Sequence, residues 1–196
     1  MGIEYELKFR TDEQTRAAIA AEYQQYPSQQ FQMATTYYDT PSGALSALRY
    51  TLRQRMENGV SVCTLKTPAG GSSRNELEVN CDSIHTAIDL LCQMGAPDNF
   101  AQAVAEGILP VCSAKFDRIA ITLASEDTVL ELALDLGTLS GGNQTIPLCE
   151  VEVELKSGPT QNADLFAGIL MNQYGLVRET HSKFRRALAL YRGECL

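Results

Sequence analysis

The sequence predicts an α+β fold: an eight-stranded antiparallel β-barrel closed into a tunnel, with helices packed outside. Three observations predict it. Apolar and polar residues alternate with a period of two in about eight segments. Neighbouring segments follow at hairpin-like spacing. Eight antiparallel strands are also about the number that closes a small barrel around one small ligand.

The elements follow in chain order. Ile3, Tyr5, Leu7 and Phe9 alternate with Glu4, Glu6 and Lys8, which makes the first strand. Thr11-Asp12-Glu13-Gln14 reads as a capping box with Thr11 as N-cap, opening an alanine-rich helix that runs to about Gln25. Strands are expected at 33–40, 46–56, 60–67 and 75–80. Asn58-Gly59 is a two-residue hairpin turn, and Ala69 to Ser73 is a loop. Ser83 to Met94 is helical and stops at Gly95, and Asp98 to Glu106 makes a short helix before Gly107. Strands return at 113–124, 128–136 and 149–156, with a turn at Ser140-Gly141-Gly142-Asn143. Helices over Asn162–Tyr174, ended by Gly175, and Ser182–Tyr191 complete the set.

Composition narrows the function classes. The 196 residues read as a single domain, and 44% apolar content is enough to form a core. No run approaches the roughly 18 apolar residues of a membrane span. The charged start is unlike a secretory signal, and Glu6 spoils a myristoylation motif at Gly2. A net charge of −8 argues against non-specific binding of nucleic acid, which needs a positive field. None of the six cysteines forms a CxxC pair, so they read as free thiols in a reducing, cytoplasmic setting rather than as zinc ligands.

Chemistry lies in the charged faces of the strands. These carry Glu4, Glu6 and Lys8; Arg53 and Arg55; Lys66; Arg74, Glu76 and Glu78; Arg118; Glu131 and Asp135; and Glu150, Glu152 and Glu154. A half-buried strand ordinarily shows a charged outer face. Here like charges recur at spacing two, and the opposite faces, such as Val151, Val153 and Leu155, are apolar enough to pack under helices. The charged side is therefore the candidate interior. Buried charge needs compensation, and cations facing carboxylates would suit a polyphosphate–metal complex. Arginine forks and lysine point charges hold phosphoryl oxygens. Carboxylates without histidine or cysteine suit Mg²⁺ or Mn²⁺.

Glu4-Tyr5-Glu6-Leu7-Lys8 has the form ExExK. It is followed in order by Tyr37-Tyr38-Asp39-Thr40, Leu52-Arg53-Gln54-Arg55, Thr64-Leu65-Lys66, Arg74-Asn75-Glu76, Arg118, Leu134-Asp135-Leu136-Gly137, Cys149 to Glu154, and Ser182-Lys183. Together these resemble the CYTH domain, or triphosphate tunnel metalloenzyme, family over nearly the whole chain. The likeness is greatest to its bacterial inorganic triphosphatase branch, in which a helical CHAD domain often follows; this chain ends without one. The resemblance implies a triphosphate gripped by Lys8, Arg53, Arg55, Lys66, Arg118 and Lys183. It implies one or two divalent ions held by Glu4, Glu6, Asp135 and the Glu150, Glu152, Glu154 set, with Glu150 and Glu152 favoured. Glu4, Glu6, Lys8 and Glu76 are the residues it assigns to catalysis, Glu76 by orienting a basic partner or helping to position metal.

The expected reaction is hydrolysis of inorganic triphosphate to pyrophosphate and phosphate by metal-activated water. Thiamine triphosphatase, class IV adenylyl cyclase and a non-catalytic polyphosphate or nucleotide binder remain open. Lys115 is a weak basic candidate without a motif. Tyr37 and Tyr38 read as packing and hydrogen-bonding residues, Asp39 to Gly43 as a structural turn, His85 and His181 as structural or surface groups, Arg185 and Arg186 as a solvated helix face from which one could reach the tunnel mouth, and Lys156 as a solvated strand end.

Overall fold

The first strand, β1 (Gly2–Arg10), ties the barrel together because both of its edges are used. One edge pairs with β8 (Gln144–Ser157), with Tyr5 opposite Leu155 and Arg10 opposite Glu150. The other edge is shared. Gly2–Glu4 meet β5 (Ser73–Asn80), and Lys8–Arg10 meet the three-residue β9 (Val177–Glu179). Between lie β2 (Ser28–Asp39), β3 (Thr51–Glu57), β4 (Val60–Gly70), β6 (Leu109–Ala124) and β7 (Val129–Gly141). The sheet order is β5-β4-β3-β2-β6-β7-β8-β1-β9, and the β5–β1 pairing closes eight strands into an antiparallel barrel. This computed structural model describes residues 2–70 and 73–195. Gly71 and Ser72 of the expected loop and the side chain of Ile3 lie outside the described residues.

Alternation along the strands divides inside from outside. Leu7, Phe9, Leu130, Leu132, Leu134, Val151 and Val153 point outward and are buried beneath α1 (Glu13–Glu22) and α5 (Thr160–Tyr174). Leu52, Leu65 and Leu77 do the same beneath α3 (Ile84–Gln93) and α4 (Asp98–Val104). Emptying any of these sites to alanine removes about 2–5 kcal/mol. The last helix, α6 (Lys183–Arg192), sits differently. Its Phe184, Ala187 and Leu188 pack on the inward residues Met33, Tyr37, Phe116, Leu139 and Leu148, so it fills one end of the bore. The helix approaches β7 so closely that a Cβ on Gly141 would stand 2.2 Å from the Ala187 carbonyl oxygen.

The Asn58-Gly59 turn is present, both residues having positive φ (49° and 90°) as a two-residue hairpin of this kind requires. Two local expectations are corrected. The first helix is capped by Asp12, whose carboxylate accepts the Thr15 amide at 2.7 Å, rather than by Thr11. The strand expected over 46–56 begins only at Thr51, after a four-residue helix α2 (Ala44–Ala47). That helix exists because the buried Asp39 carboxylate accepts amides from Thr40, Leu45 and Ser46. The short β9 was not foreseen.

Candidate active site

The inward faces enclose a cavity of about 820 Å³. All six expected anion-binding cations line it, as do Glu4, Glu6, Glu76, Glu152 and Glu154. Register explains the convergence. Thr51 opposes Lys66 and Lys66 opposes Glu76, while Lys8 opposes Glu152 and Glu6 opposes Glu154. Residues far apart in sequence thus fall in rows around the wall.

Charges are paired across these rows rather than divided into one basic and one acidic half. Lys66 Nζ lies 2.5 Å from Glu4 and 3.4 Å from Glu76. Glu76 also stands 3.6 Å from Arg53, so it orients two cations at once. Lys8 donates to Glu6 at 2.5 Å, and Arg55 pairs with Glu57. Arg118 forks onto Asp135 through two 2.7 Å hydrogen bonds and reaches Glu152 at 2.6 Å. Burial, together with the neighbouring Arg53 and Arg118, holds the Arg55 guanidinium below its usual pKa, so three like charges converge there. The buried Nε atoms of Arg53 and Arg55 have no hydrogen-bond partner among the described residues.

Asp135 and Glu150 are the expected metal ligands that do not face the cavity; both are fully buried behind Lys183. The oxygens of Asp135, Glu150 and Glu152 lie within 4.8 Å of one another, close enough for one cation to bridge. The cation found there is the Lys183 ammonium, at 2.8, 2.5 and 2.7 Å from them. Burial opposes ionisation of Glu152, but Lys183, Arg118 and Lys8 outweigh it and hold its carboxyl well below the ordinary range. Burial instead raises Glu150 and Glu154.

Several assignments change. Lys156 is not simply solvated: it lines the cavity and pairs with Glu154 at 2.8 Å and Glu131 at 3.5 Å. Arg186 is partly buried and pairs with Glu150 and Glu179. His181 lines the cavity with Nδ1 3.4 Å from Glu179. Lys115 is exposed and lies outside this cavity. Tyr37 is a packing residue, its ring 5.2 Å from that of Phe184, and His85 is exposed on α3. Glu131 was placed on the charged inward face beside Asp135 but without a chemical role, and Glu179 was missed.

The CYTH domain profile matches residues 2–188. This chain belongs to the CYTH domain family. A curated relative, an inorganic triphosphatase of Haemophilus influenzae, is 28% identical over 160 residues, covering 81% of this chain and 46% of the relative. The chain thus spans about half the length of that protein. Among solved structures, a Hippeastrum protein described as a candidate adenylyl cyclase with a dominant triphosphatase activity shares the fold, with TM-score 0.66 and 15% identity over 100% of this chain and 98% of that one. A Pyrococcus horikoshii protein aligns with TM-score 0.63 and 18% identity over 94% and 98%. No helix among the described residues of this CYTH chain is long and apolar enough to cross a membrane.

Proposed function

We propose that this CYTH chain, with residues 1–196 acting as one unit, is a metal-dependent inorganic triphosphatase of the cytoplasm that cleaves tripolyphosphate to pyrophosphate and phosphate. The observation that carries this reading is the crowding of Arg53, Arg55 and Arg118 on the cavity wall, with Arg55 disfavoured by both neighbours. A polyanion would relieve that repulsion and supply acceptors for guanidinium N–H groups. The curated triphosphatase relative supports the same substrate class.

The donor set fits a hard divalent cation. Glu6, Glu154 and Glu131 stand side by side on three neighbouring strands, all facing the cavity, and among the described residues the three carboxylates share only two lysine partners, Lys8 and Lys156, which leaves a further cation favourable there. Glu4, Glu6, Glu152 and Glu154 would hold Mg²⁺ or Mn²⁺, and carboxylate oxygens alone favour these ions over zinc. Asp135 and Glu150 would reach a metal only in place of Lys183, and we assign them to holding Lys183 and Arg118. When bound, the ion neutralises phosphoryl oxygens and makes water a better nucleophile.

The remaining roles belong to the protein. Lys8, Arg53, Arg55, Lys66, Arg118 and Lys183 would fix the phosphates in line and neutralise charge as it moves to the leaving group, the main source of rate in phosphoryl transfer. Glu76 would keep Lys66 and Arg53 in place. No covalent intermediate is expected. A panel of tripolyphosphate, thiamine triphosphate and ATP, with phosphate and cyclic AMP both measured, tests the reading. Preferred turnover of tripolyphosphate supports it. A preference for thiamine triphosphate, cyclic AMP formation, or binding without hydrolysis points to the thiamine triphosphatase, cyclase or non-catalytic alternative respectively.

A further inference from the structure

Helix α5 is apolar on two faces. Ala163, Ala167 and Leu170 are buried against the barrel, where the helix lies over β1 and β8. On the opposite side Leu165 and Ile169, one turn apart, are 66% and 54% exposed. A surface helix ordinarily turns polar and charged residues to water. Here the outer stripe reads Gln161, Leu165, Gly168, Ile169 and Asn172, none of them charged. The one acid of the helix, Asp164, lies off the stripe and accepts the Tyr5 hydroxyl at 2.6 Å. The apolar surface continues beyond α1. Phe166 meets the Tyr23 ring edge-on at 5.9 Å, and Tyr23 lies 5.9 Å from Tyr26, which is also exposed.

Gly168 sits in the middle of this stripe. Glycine weakens a helix interior relative to alanine. Among the described residues nothing requires it, because a Cβ at this position would meet no atom within 4 Å. Gly137 and Gly141, by contrast, are held by neighbouring backbone. The missing side chain leaves a notch beside Leu165 and Ile169 that faces away from the chain's own packing.

Charge limits what can fill it. Two copies of a chain with net charge −8 repel wherever carboxylates would meet. The α5 stripe lets two copies meet without bringing charge into the contact. It also matches itself. A two-fold axis near Ala167, with two α5 helices antiparallel, sets Leu165 of one protomer against the partner's Ile169, and Gln161 against the partner's Asn172. Polar ends meet polar ends, and each Gly168 notch receives a ridge of the other helix.

We propose that the outer face of α5 is a homodimer interface, an isologous contact between two copies centred on Leu165, Gly168 and Ile169. One helix pair flanked by Tyr26 is small for an interface, which places this dimer in the weak class. No α5 residue lines the cavity, so each copy keeps its own bore and the contact is independent of what the bore holds.

Sedimentation velocity of the full chain from about 2 to 200 μM tests the interface. Wild type should pass from monomer to dimer across this range, and added salt should tighten the dimer by screening the net charge. Leu165→Lys combined with Ile169→Lys should weaken it at least tenfold. The two lysines lower the net negative charge, so greater overall repulsion cannot explain that loss. Gly168→Ala separates fold from contact. It should raise the melting temperature of the dilute monomer by roughly 2–4 °C and weaken the dimer at least fivefold. A chain that stays monomeric throughout, a dimer that survives the double lysine variant, assembly beyond the dimer, or tighter association in Gly168→Ala overturns the interface. If the double variant melts early, Ile169→Lys alone and Gly168→Ala decide by the same criteria.

Discussion

The ammonium of Lys183 stands 2.8 Å from the fully buried carboxylate of Asp135. It shares the same position with Glu150 and Glu152, and α6 is thereby pinned into the end of the barrel. Removing one member of such a buried network leaves uncompensated charge, which costs about 3–5 kcal/mol. Lys183→Met should therefore lose about that much stability in urea unfolding, and adding Glu150→Gln should restore part of it. A loss under about 1 kcal/mol would mean that the cluster contributes little.

Glu154 makes a prediction about pH. Burial raises its carboxyl pKa despite the Lys156 ammonium beside it, with Glu4 and Glu131 adding to the rise. The folded state then binds this proton more tightly than the unfolded chain does. Its contribution to stability falls as pH rises from the unfolded carboxylate value through the raised folded one. Glu154→Gln should consequently be more stable than wild type at pH 7, with the difference shrinking as pH approaches 4. Thermal melts across that range check the sign; a variant less stable at pH 7 would contradict it. Mg²⁺ or Mn²⁺ should stabilise wild type more than the variant.

Much of this arrangement was legible because a strand has period two. Once the face bearing Glu4, Glu6 and Lys8 was taken as inward, the same rule placed Arg53, Lys66 and Glu152 in the bore. The rule gives a face but not a depth. Asp135 and Glu150 lie on the inward face, yet they sit low enough for α6 to cover them, and no local pattern reports where a distant helix docks. For the same reason Arg186 read as a solvated helix residue but is partly buried and pairs with Glu150. The α2 turn was missed because it depends on Asp39 collecting amides up to seven residues away, and β9 because three residues carry no usable period.

The thiols give a check on packing. Burial pushes Cys112 up to about 12 and Cys63 up to about 11, whereas Cys195 is exposed. Only thiolate reacts appreciably. At pH 8 iodoacetamide should modify Cys195 first and leave Cys63 and Cys112 intact until the protein unfolds, as peptide mass analysis would show. Rapid labelling of Cys112 in the native state would contradict the packing of α6 against β6.

Glu4 and Glu6 separate chemistry from folding. Both are neutralised by lysines at 2.5 Å, and both line the cavity rather than the core. Glu4→Gln or Glu6→Gln should lower turnover at least a hundredfold while shifting the melting temperature by only a few degrees. Comparable losses of activity and of folded protein would mean a structural role instead.

The central claim is most directly tested by measuring phosphate released from tripolyphosphate by the wild-type chain with Mg²⁺, with Mn²⁺, and with chelator. The account predicts one phosphate per tripolyphosphate in the presence of either or both metals, and loss of the reaction when metal is chelated. Release that continues undiminished in chelator, or no release with either metal while the protein is folded, would contradict it.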